Sequence, residues 1–244
     1  MAVFSSLCPD TVDAIYFDVG DTLVFDTPNI DERFHTLLSG LGFNRKLEAV
    51  TAALREVETY VLPFYVAGDD VDSDSFQRIS TEVLFKNLDL STMNDTQWAG
   101  FRSSFYNLPV ERFLHPGAIG LIQYLRSLGI KIGVISDWDA SLPLLLDELG
   151  LIRLLDSVTV SDIVGCRKPG RRIFEHALNQ LGIVPSRALH VGDFFELDTR
   201  GAVETGMQSV LFDWRLRTDG SLAPTVRTFD ELSLALSYRV EHES

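Results

Sequence analysis

The sequence predicts an α/β fold in which a doubly wound parallel sheet carries an inserted α-helical segment. Short apolar runs rich in β-branched residues alternate with segments of helical period over the C-terminal two-thirds of the chain. This alternation is typical of βα units around a parallel sheet. Residues 28–113 differ, because they contain helical patterns without a convincing buried strand.

Five runs are strand candidates, and a helix candidate follows most of them. The predicted strands are Ala14–Val19, Lys131–Ser136, Ser157–Val160, Ala188–Gly192 and Ser209–Phe212. The predicted helices between them are Ala118–Leu128, Leu142–Leu149, Arg171–Leu181 and Leu197–Thr205. A glycine follows each helix, where a left-handed cap is expected, at positions 129, 150, 182 and 206.

The helical segment divides the chain into two predicted domains. We expect helices at Arg33–Leu41, Lys46–Val61, Asp74–Asn87 and Asp95–Asn107. Residues 1–27 and 114–244 then form the α/β core, and residues 28–113 form a helical cap inserted after the first strand.

Composition limits the classes of function. The chain has 244 residues, 45% of them hydrophobic, and no window approaches the roughly 18 apolar residues of a membrane helix. The start of the chain lacks the basic end and apolar run of a signal peptide. Two distant cysteines, Cys8 and Cys166, exclude a disulfide framework and favour a cytoplasmic protein.

The net charge of −14 argues against nucleic-acid and membrane partners, because both require basic surface. It does not exclude a small anionic substrate, which backbone N–H groups and one lysine can bind within an acidic protein. We expect a monomer or a homodimer.

Polar residues follow three of the predicted strands. Asp18 ends the first, Ser136 and Asp137 the second, and Gly192 and Asp193 the fourth. Doubly wound sheets bind ligands at the carboxyl ends of their strands, near the point where strand order reverses. The sequence therefore predicts a functional site at this edge.

The carboxylates suit phosphoryl chemistry with a metal ion. Asp18 could act as a nucleophile that accepts a phosphoryl group, although a turn aspartate is the structural alternative. Asp193 and Asp198 bracket a turn into a helix and offer the hard oxygen ligands that Mg²⁺ prefers. Asp198 could instead be a first-turn residue favoured by the helix dipole.

Four motifs resemble those of the haloacid-dehalogenase-like (HAD) hydrolase superfamily, in the same order along nearly the whole chain. They are residues 18–23 (DVGDTL), Ser136 with Asp137, Lys168 with Pro169, and residues 192–198 (GDFFELD). The resemblance implies a Rossmann-like core, and the inserted helices look like a cap of the C1 type found in subfamily I.

The resemblance also implies roles for individual residues. Asp18 would be the nucleophile, and Ser136 would hold an oxygen of the transferring phosphoryl group together with Asp137. Lys168 would offset the negative charge of nucleophile and phosphate. Thr22 would bond within its loop or to phosphate. Mg²⁺ would be bound by Asp18, the carbonyl of Gly20, Asp193 and Asp198.

Two positions depart from the common phosphatase pattern. The family's second aspartate, two residues after the nucleophile, protonates the leaving group, and here that position is Gly20. Asp21 is one residue too late, so that water, a distorted turn or a cap residue would have to supply the proton. Asp137 stands where the family often has asparagine.

The resemblance thus implies Mg²⁺-dependent hydrolysis of a small phosphorylated metabolite through an aspartyl-phosphate. Gly20 keeps two alternatives open. One is a metal-independent 2-haloacid dehalogenase, although such enzymes replace the metal-binding aspartate that this chain keeps. The other is a catalytically weak protein that binds phosphorylated ligands or partners.

Overall fold

The computed structural model describes residues 12–67, 73–90, 94–218 and 223–237. The chain divides into two compact units, of which one comprises Asp26–Arg112 and the other the chain on both sides of it. The two boundaries between the units, after Phe25 and after Arg112, lie in two short strands that pair with each other. Within the described residues, no helix is long and apolar enough to span a membrane.

The α/β unit is built on a six-stranded sheet. In chain order the strands of the structure are β1 (Ala14–Phe17), β2 (Val24–Thr27), β3 (Glu111–Leu114), β4 (Lys131–Ser136), β5 (Ser157–Val160), β6 (Ala188–Gly192), β7 (Gln208–Phe212) and β8 (Thr225–Val226). The sheet has the order β5-β4-β1-β6-β7-β8, and its pairs are parallel. β1 therefore lies where the strand order reverses, between β4 and β6.

Both faces of the sheet are covered, as the near-continuous apolar strands require. Ile15 and Phe17 point into one hydrophobic cluster, and Ala14 and Tyr16 into the other. The Tyr16 hydroxyl is satisfied inside the second cluster, because it donates to the carbonyl oxygen of Ala177 at 3.0 Å.

Helices join the strands. The α-helices of the whole chain are α1 (Ile30–Gly40), α2 (Leu47–Ala67), α3 (Ser73–Asn87), α4 (Asp95–Asn107), α5 (Ala118–Ser127), α6 (Leu142–Glu148), α7 (Ser161–Val164), α8 (Arg171–Leu181), α9 (Arg200–Thr205) and α10 (Phe229–Ser237). The four glycines predicted as left-handed caps all have positive φ, between 66° and 93°.

The helices α1 to α4 make up the Asp26–Arg112 unit, which has its own core. Asn29 begins α1 and Asn94 begins α4, each as the first residue of a reciprocal capping box. Leu38, Val50 and Phe85 are central to one buried cluster, and Trp98 and Phe101 to another.

The predicted α/β class and parallel sheet are confirmed, and the differences concern element ends. β1 ends at Phe17 because the chain turns at Val19, whose carbonyl oxygen accepts bonds from the N–H groups of residues 22, 23 and 24. The predicted helix Leu197–Thr205 is a π-helical turn, Phe195–Thr199, followed by α9. Of the two cysteines, Cys166 is a free thiol, and Cys8 lies outside the described residues.

Three short strands (β2, β3 and β8) and two helices (α7 and α10) were not predicted. β3 begins inside the segment expected to be helical, and its residues are mostly exposed. An exposed two-stranded ribbon lacks the apolar alternation that marks a half-buried strand. β8 has only two residues, which is too short for a periodic signal.

Candidate active site

Three predicted site segments meet at the centre of the sheet. Asp18 follows β1, Ser136 ends β4, and Asp193 follows β6, and these three strands are neighbours. The backbone N–H of Asp18 donates to the carbonyl oxygen of Val191 at 2.8 Å, which joins the ends of β1 and β6. The position matches the ligand edge of a doubly wound sheet.

Lys168 joins two carboxylates in the interior of this edge. Its Nζ lies 2.7 Å from Asp18 Oδ1 and 2.6 Å from Asp198 Oδ1, and the Lys168 side chain is only 4% exposed. Burial opposes the charge of Lys168, but the two carboxylates outweigh it and raise the pKa of the ammonium above its usual value. Burial raises the pKa of Asp18, while Lys168 opposes that shift.

Asp18, Asp193 and Asp198 form a group of carboxylates in which one oxygen from each lies within 4.8 Å of the others. Hard oxygen donors at this spacing suit Mg²⁺, which uses one or two carboxylates together with water and substrate phosphate. Burial raises the pKa of Asp193, whereas the guanidinium of Arg217 acts in the opposite direction. The donor set is therefore compatible with a magnesium ion.

Asp198 is held by protein donors on both carboxylate oxygens. Oδ1 accepts from Lys168 and lies 2.9 Å from His190 Nε2, and Oδ2 accepts from the backbone N–H of Phe194 at 3.0 Å. Burial opposes its ionisation, but Lys168 and His190 outweigh burial and hold the pKa of Asp198 below its usual range. Asp198 therefore positions Lys168, and Asp18 and Asp193 are the less encumbered candidates for holding a metal ion.

Gly192 makes room for this arrangement. A Cβ added at Gly192 would lie 2.2 Å from Cγ of Asp198, which is closer than any real contact. The glycine before Asp193 is thus required by the approach of Asp198 to the strand end.

The loops after β4 and before α8 are tied together. Asp137 Oδ1 accepts from the backbone N–H of Lys168 at 3.1 Å, and Oδ2 is buried without a hydrogen-bond partner among the described residues. Burial raises the pKa of Asp137 to about 6. Ser136, which precedes Asp137, is buried. Trp138, which follows Asp137, is held by Ser161, whose hydroxyl oxygen accepts from the backbone N–H of Trp138 at 3.1 Å.

The turn after Asp18 contains Gly20, Asp21 and Thr22, which have different surroundings. A Cβ added at Gly20 would lie 3.6 Å from Cζ3 of Trp138, an ordinary contact distance. Asp21 has a φ of 51°, in the left-handed region. Its carboxylate forms ion pairs with Arg215 and Arg217. The Thr22 hydroxyl is fully buried and has no partner among the described residues.

Sequence reasoning missed two contributors to the site. Arg217 and Arg215 follow β7, and Arg217 pairs with Asp193. Their position shortly after the fifth predicted strand, Ser209–Phe212, was the sequence feature that could have identified them. His190 was interpreted as a core histidine, and it is fully buried, but Nε2 contacts Asp198.

Comparisons with known proteins extend over most of the chain. The glyceraldehyde 3-phosphate phosphatase of Methanothermobacter thermautotrophicus is 28% identical over 216 residues, which cover 83% of this chain and 86% of that protein. Among solved structures, the HAD-hydrolase YfnB from Bacillus subtilis, described as bound to magnesium, has a TM-score of 0.67 at 17% identity, with 92% of this chain and 98% of that chain covered.

A second solved structure carries a different activity in its name. The L-2-haloacid dehalogenase RSc1362 has a TM-score of 0.65 at 19% identity, with 92% of this chain and 98% of that chain covered. At this identity the likeness concerns the fold alone.

The family assignment rests on a longer match. The family model for haloacid dehalogenase-like hydrolases matches residues 12–206, which include all four motif segments around Asp18, Ser136, Lys168 and Asp193. The chain therefore belongs to the haloacid dehalogenase-like hydrolase family.

Proposed function

We propose that the protein is a Mg²⁺-dependent phosphatase that hydrolyses a small phosphorylated metabolite through an aspartyl-phosphate on Asp18. The observation that carries this proposal is the buried contact of Lys168 with Asp18, beside two further carboxylates at the reversal point of the sheet. A buried ammonium next to a nucleophile compensates the negative charge that a phosphate brings to that nucleophile.

In the proposed reaction a carboxylate oxygen of Asp18 forms a bond to phosphorus while the bond from phosphorus to the leaving oxygen breaks. Lys168 orients Asp18 and balances charge, and the hydroxyls of Ser136 and Thr22 donate to oxygens of the transferring group. Water then cleaves the acyl phosphate and regenerates the carboxylate. A bound Mg²⁺, held by Asp18 and Asp193 with the Gly20 carbonyl, would supply further charge compensation.

The buried hydroxyl of Thr22 supports its proposed place in the site. Buried hydroxyl groups normally have a hydrogen-bond partner, and Thr22 Oγ1 has none among the described residues. An oxygen of the substrate phosphoryl group would satisfy it. We propose the same use for the buried hydroxyl of Ser136 at the end of β4.

The substrate class follows from the relatives. A phosphatase of glyceraldehyde 3-phosphate is similar over most of its length, which supports a small phosphorylated metabolite as substrate. We further propose that the helical unit acts as a cap that excludes water and selects the substrate. A cytoplasmic location, and a monomeric or homodimeric state, stay predictions.

Dehalogenation is the second candidate function, and Gly20 is the observation that favours it. In that mechanism a carboxylate oxygen of Asp18 would attack the carbon that carries the halogen and displace halide, without a metal ion. The close group of Asp18, Asp193 and Asp198 argues against it, because the group offers the hard oxygen donors that Mg²⁺ prefers and that a metal-free reaction does not require. A binding protein without turnover is the remaining alternative, and the retained nucleophile and lysine argue against that one.

The decisive experiment is hydrolysis of p-nitrophenyl phosphate with Mg²⁺ and with EDTA, by the natural protein and by Asp18→Asn. We expect metal-dependent release of nitrophenol that Asp18→Asn abolishes, with an unchanged circular dichroism spectrum. The control is Asp162→Asn, which removes an exposed carboxylate after β5 and should retain turnover.

Two results would contradict the proposal. Turnover that persists in Asp18→Asn would exclude the nucleophile. Absence of turnover by the natural protein on aryl, acyl and sugar phosphates, together with chloride release from 2-chloropropionate, would establish the dehalogenase alternative instead.

A further inference from the structure

Arg217 places a positive charge directly on a proposed metal ligand. Its Nη1 lies 2.7 Å from Asp193 Oδ2, and its Nη2 lies 3.1 Å from Asp21 Oδ2. The side chains of Arg217 and Asp193 are only 17% and 13% exposed, so that solvent screens this pair weakly.

The loop that carries Arg217 is built to hold it there. Asp213, at the end of β7, is 3% exposed, and its carboxylate accepts from the backbone N–H groups of Arg217 and Thr218 at 2.7 and 2.8 Å. The Thr218 hydroxyl donates to the same carboxylate at 2.9 Å. The backbone of Arg217 is therefore anchored independently of its guanidinium.

Charge balance explains why a guanidinium is stable at this place. Asp193 belongs to the group in which carboxylate oxygens of three residues lie within 4.8 Å of one another. Lys168 contacts two members of the group, Asp18 and Asp198, and Arg217 contacts the third. Each carboxylate of the group is thus paired with a cation that the protein itself supplies.

A magnesium ion at Asp193 would stand close to this guanidinium. Mg²⁺ binds carboxylate oxygen at about 2.1 Å, so two cations on one carboxylate would be separated by roughly 5 Å. At an effective dielectric constant of about 20, the repulsion of a divalent by a monovalent cation at that distance corresponds to several powers of ten in affinity.

Arg217 also has an effect that opposes this repulsion: by holding Asp193 in place, it orients a proposed metal ligand and so supports metal binding. Loss of such an orienting contact typically costs about 10- to 100-fold in affinity. The electrostatic repulsion is larger than this orienting effect. The partial solvent exposure of Arg217 and Asp193 weakens the repulsion, but the repulsion stays the larger effect.

We propose that Arg217 competes with Mg²⁺ for Asp193, so that the cation on the loop after β7 sets the metal affinity of the site. The inference rests on the proposed function, since it concerns the metal site of that reaction. Arg217 is a positioning residue here, because it acts through Asp193 rather than on the substrate.

The test measures metal binding without turnover. Thermal unfolding of the natural protein, Arg217→Gln and Arg217→Met is followed at constant pH and ionic strength over a range of MgCl₂ concentrations, and the dissociation constant is obtained from the rise in Tm. We expect at least about tenfold tighter binding for both variants. Gln keeps a polar side chain with a hydrogen-bond donor, and the loop backbone stays anchored by Asp213, so the fold should be retained.

Two variants serve as matched controls. Arg215→Met removes a guanidinium from the same loop that pairs with Asp21, at 3.0 Å, and leaves the pair of Arg217 with Asp193 intact. Its effect on Mg²⁺ affinity should be clearly smaller than that of the Arg217 variants, because the lost charge is farther from Asp193. Arg217→Lys keeps the charge and should retain the Mg²⁺ affinity of the natural protein.

The outcomes separate this inference from the proposed function. Weaker Mg²⁺ binding by Arg217→Gln and Arg217→Met than by the natural protein would overturn competition and show an orienting role. Equal affinities would also overturn it. Binding that appears only in the variants would support competition, and a lack of Mg²⁺ binding by every protein would overturn both the inference and the metal dependence of the proposed reaction.

Discussion

Gly20 is the position at which the sequence resemblance predicts a departure from the common phosphatase pattern of the family. The space beside it accepts a Cβ at an ordinary distance from Trp138, and φ at Gly20 lies outside the left-handed region. Asp21, the neighbouring carboxylate, is paired with Arg215 and Arg217. The described turn therefore offers no unpaired carboxyl group beside Asp18 that could serve as the acid in the proposed reaction.

We predict that Gly20→Asp accelerates hydrolysis of alkyl phosphates, because a carboxylic acid two residues after the nucleophile can protonate a poor leaving group. General acid catalysis is typically worth about 10²–10⁴-fold, and we expect a gain of at least about tenfold in kcat/KM. Gly20→Asn is the matched control, since it has the same size without the proton. An equal effect of both variants would exclude acid catalysis as the cause.

Asp137 is a carboxylate whose burial works against its charge. Burial raises its pKa to about 6 from an ordinary 3.8, so ionisation costs the folded state increasingly as the pH rises between these two values. The destabilisation caused by burying the Asp137 carboxylate is therefore complete above about pH 6 and absent below about pH 4.

We predict that Asp137→Asn raises the free energy of unfolding at about pH 8, by up to about 3 kcal/mol, and not at about pH 4. Asparagine can still accept from the backbone N–H of Lys168 through its carbonyl oxygen. Urea unfolding at the two pH values measures the difference, with Asp162→Asn reporting the general effect of one negative charge. A gain that is the same at both pH values would show that burial of the charge is not responsible.

At the scale of elements, close packing at Gly133 joins three strands. Gly133 lies in β4, and a Cβ added there would lie 2.5 Å from Cδ1 of Tyr16 in β1 and 2.7 Å from Oγ of Ser157 in β5. The phenol ring of Tyr16 can cross the neighbouring strand only because this position has no side chain. The ring reaches Ala177 of α8 and so joins the sheet to that helix.

We predict that Gly133→Ala lowers the free energy of unfolding by about 1–3 kcal/mol, the usual cost of an extra methyl group in a packed core. The matched control is Gly120→Ala in the first turn of α5, where nothing lies within 4 Å of the added Cβ. That change should not lower stability, because alanine has a higher helix propensity than glycine. Denaturant unfolding would contradict the packing argument if Gly133→Ala were as stable as the natural protein.

At the scale of the whole molecule, the two units have separate cores. The two clusters on the faces of the sheet contain no residue from Asp26–Arg112, and the two clusters of the helical unit contain none from outside it. Phe25 and Phe113 are the residues of the α/β unit that flank the helical unit in the sequence, and the centroids of their rings are 5.8 Å apart.

We predict that replacement of residues 26–112 by a short Gly/Ser linker leaves a folded α/β unit with one cooperative thermal transition. The physical reason is that excision removes no member of the two hydrophobic clusters found among the described residues of the α/β unit. Near-ultraviolet circular dichroism and calorimetry measure this outcome. A broad transition without a near-ultraviolet signal would show that the sheet depends on the helical unit.

Local patterns in the sequence were enough to predict the α/β class, the parallel sheet and most element bounds. Strands buried on both faces produce continuous apolar runs, and a glycine after a helix has few uses other than a left-handed cap. Short or exposed elements such as β2, β3 and β8 left no such pattern. The site prediction for Asp18, Ser136 and Asp193 depended on the same strands, because each residue follows one.

What the sequence by itself determined about this protein is its fold class, its family and the set of polar residues delivered to one edge of the sheet. The tertiary structure alone decided the partners: Lys168 between Asp18 and Asp198, His190 against Asp198, and Arg217 on Asp193. The reason is that strand order and loop geometry, rather than spacing along the chain, set which charges approach within hydrogen-bond distance. Arg217 lies 24 residues after Asp193, and only the return of the chain through β7 brings the two together.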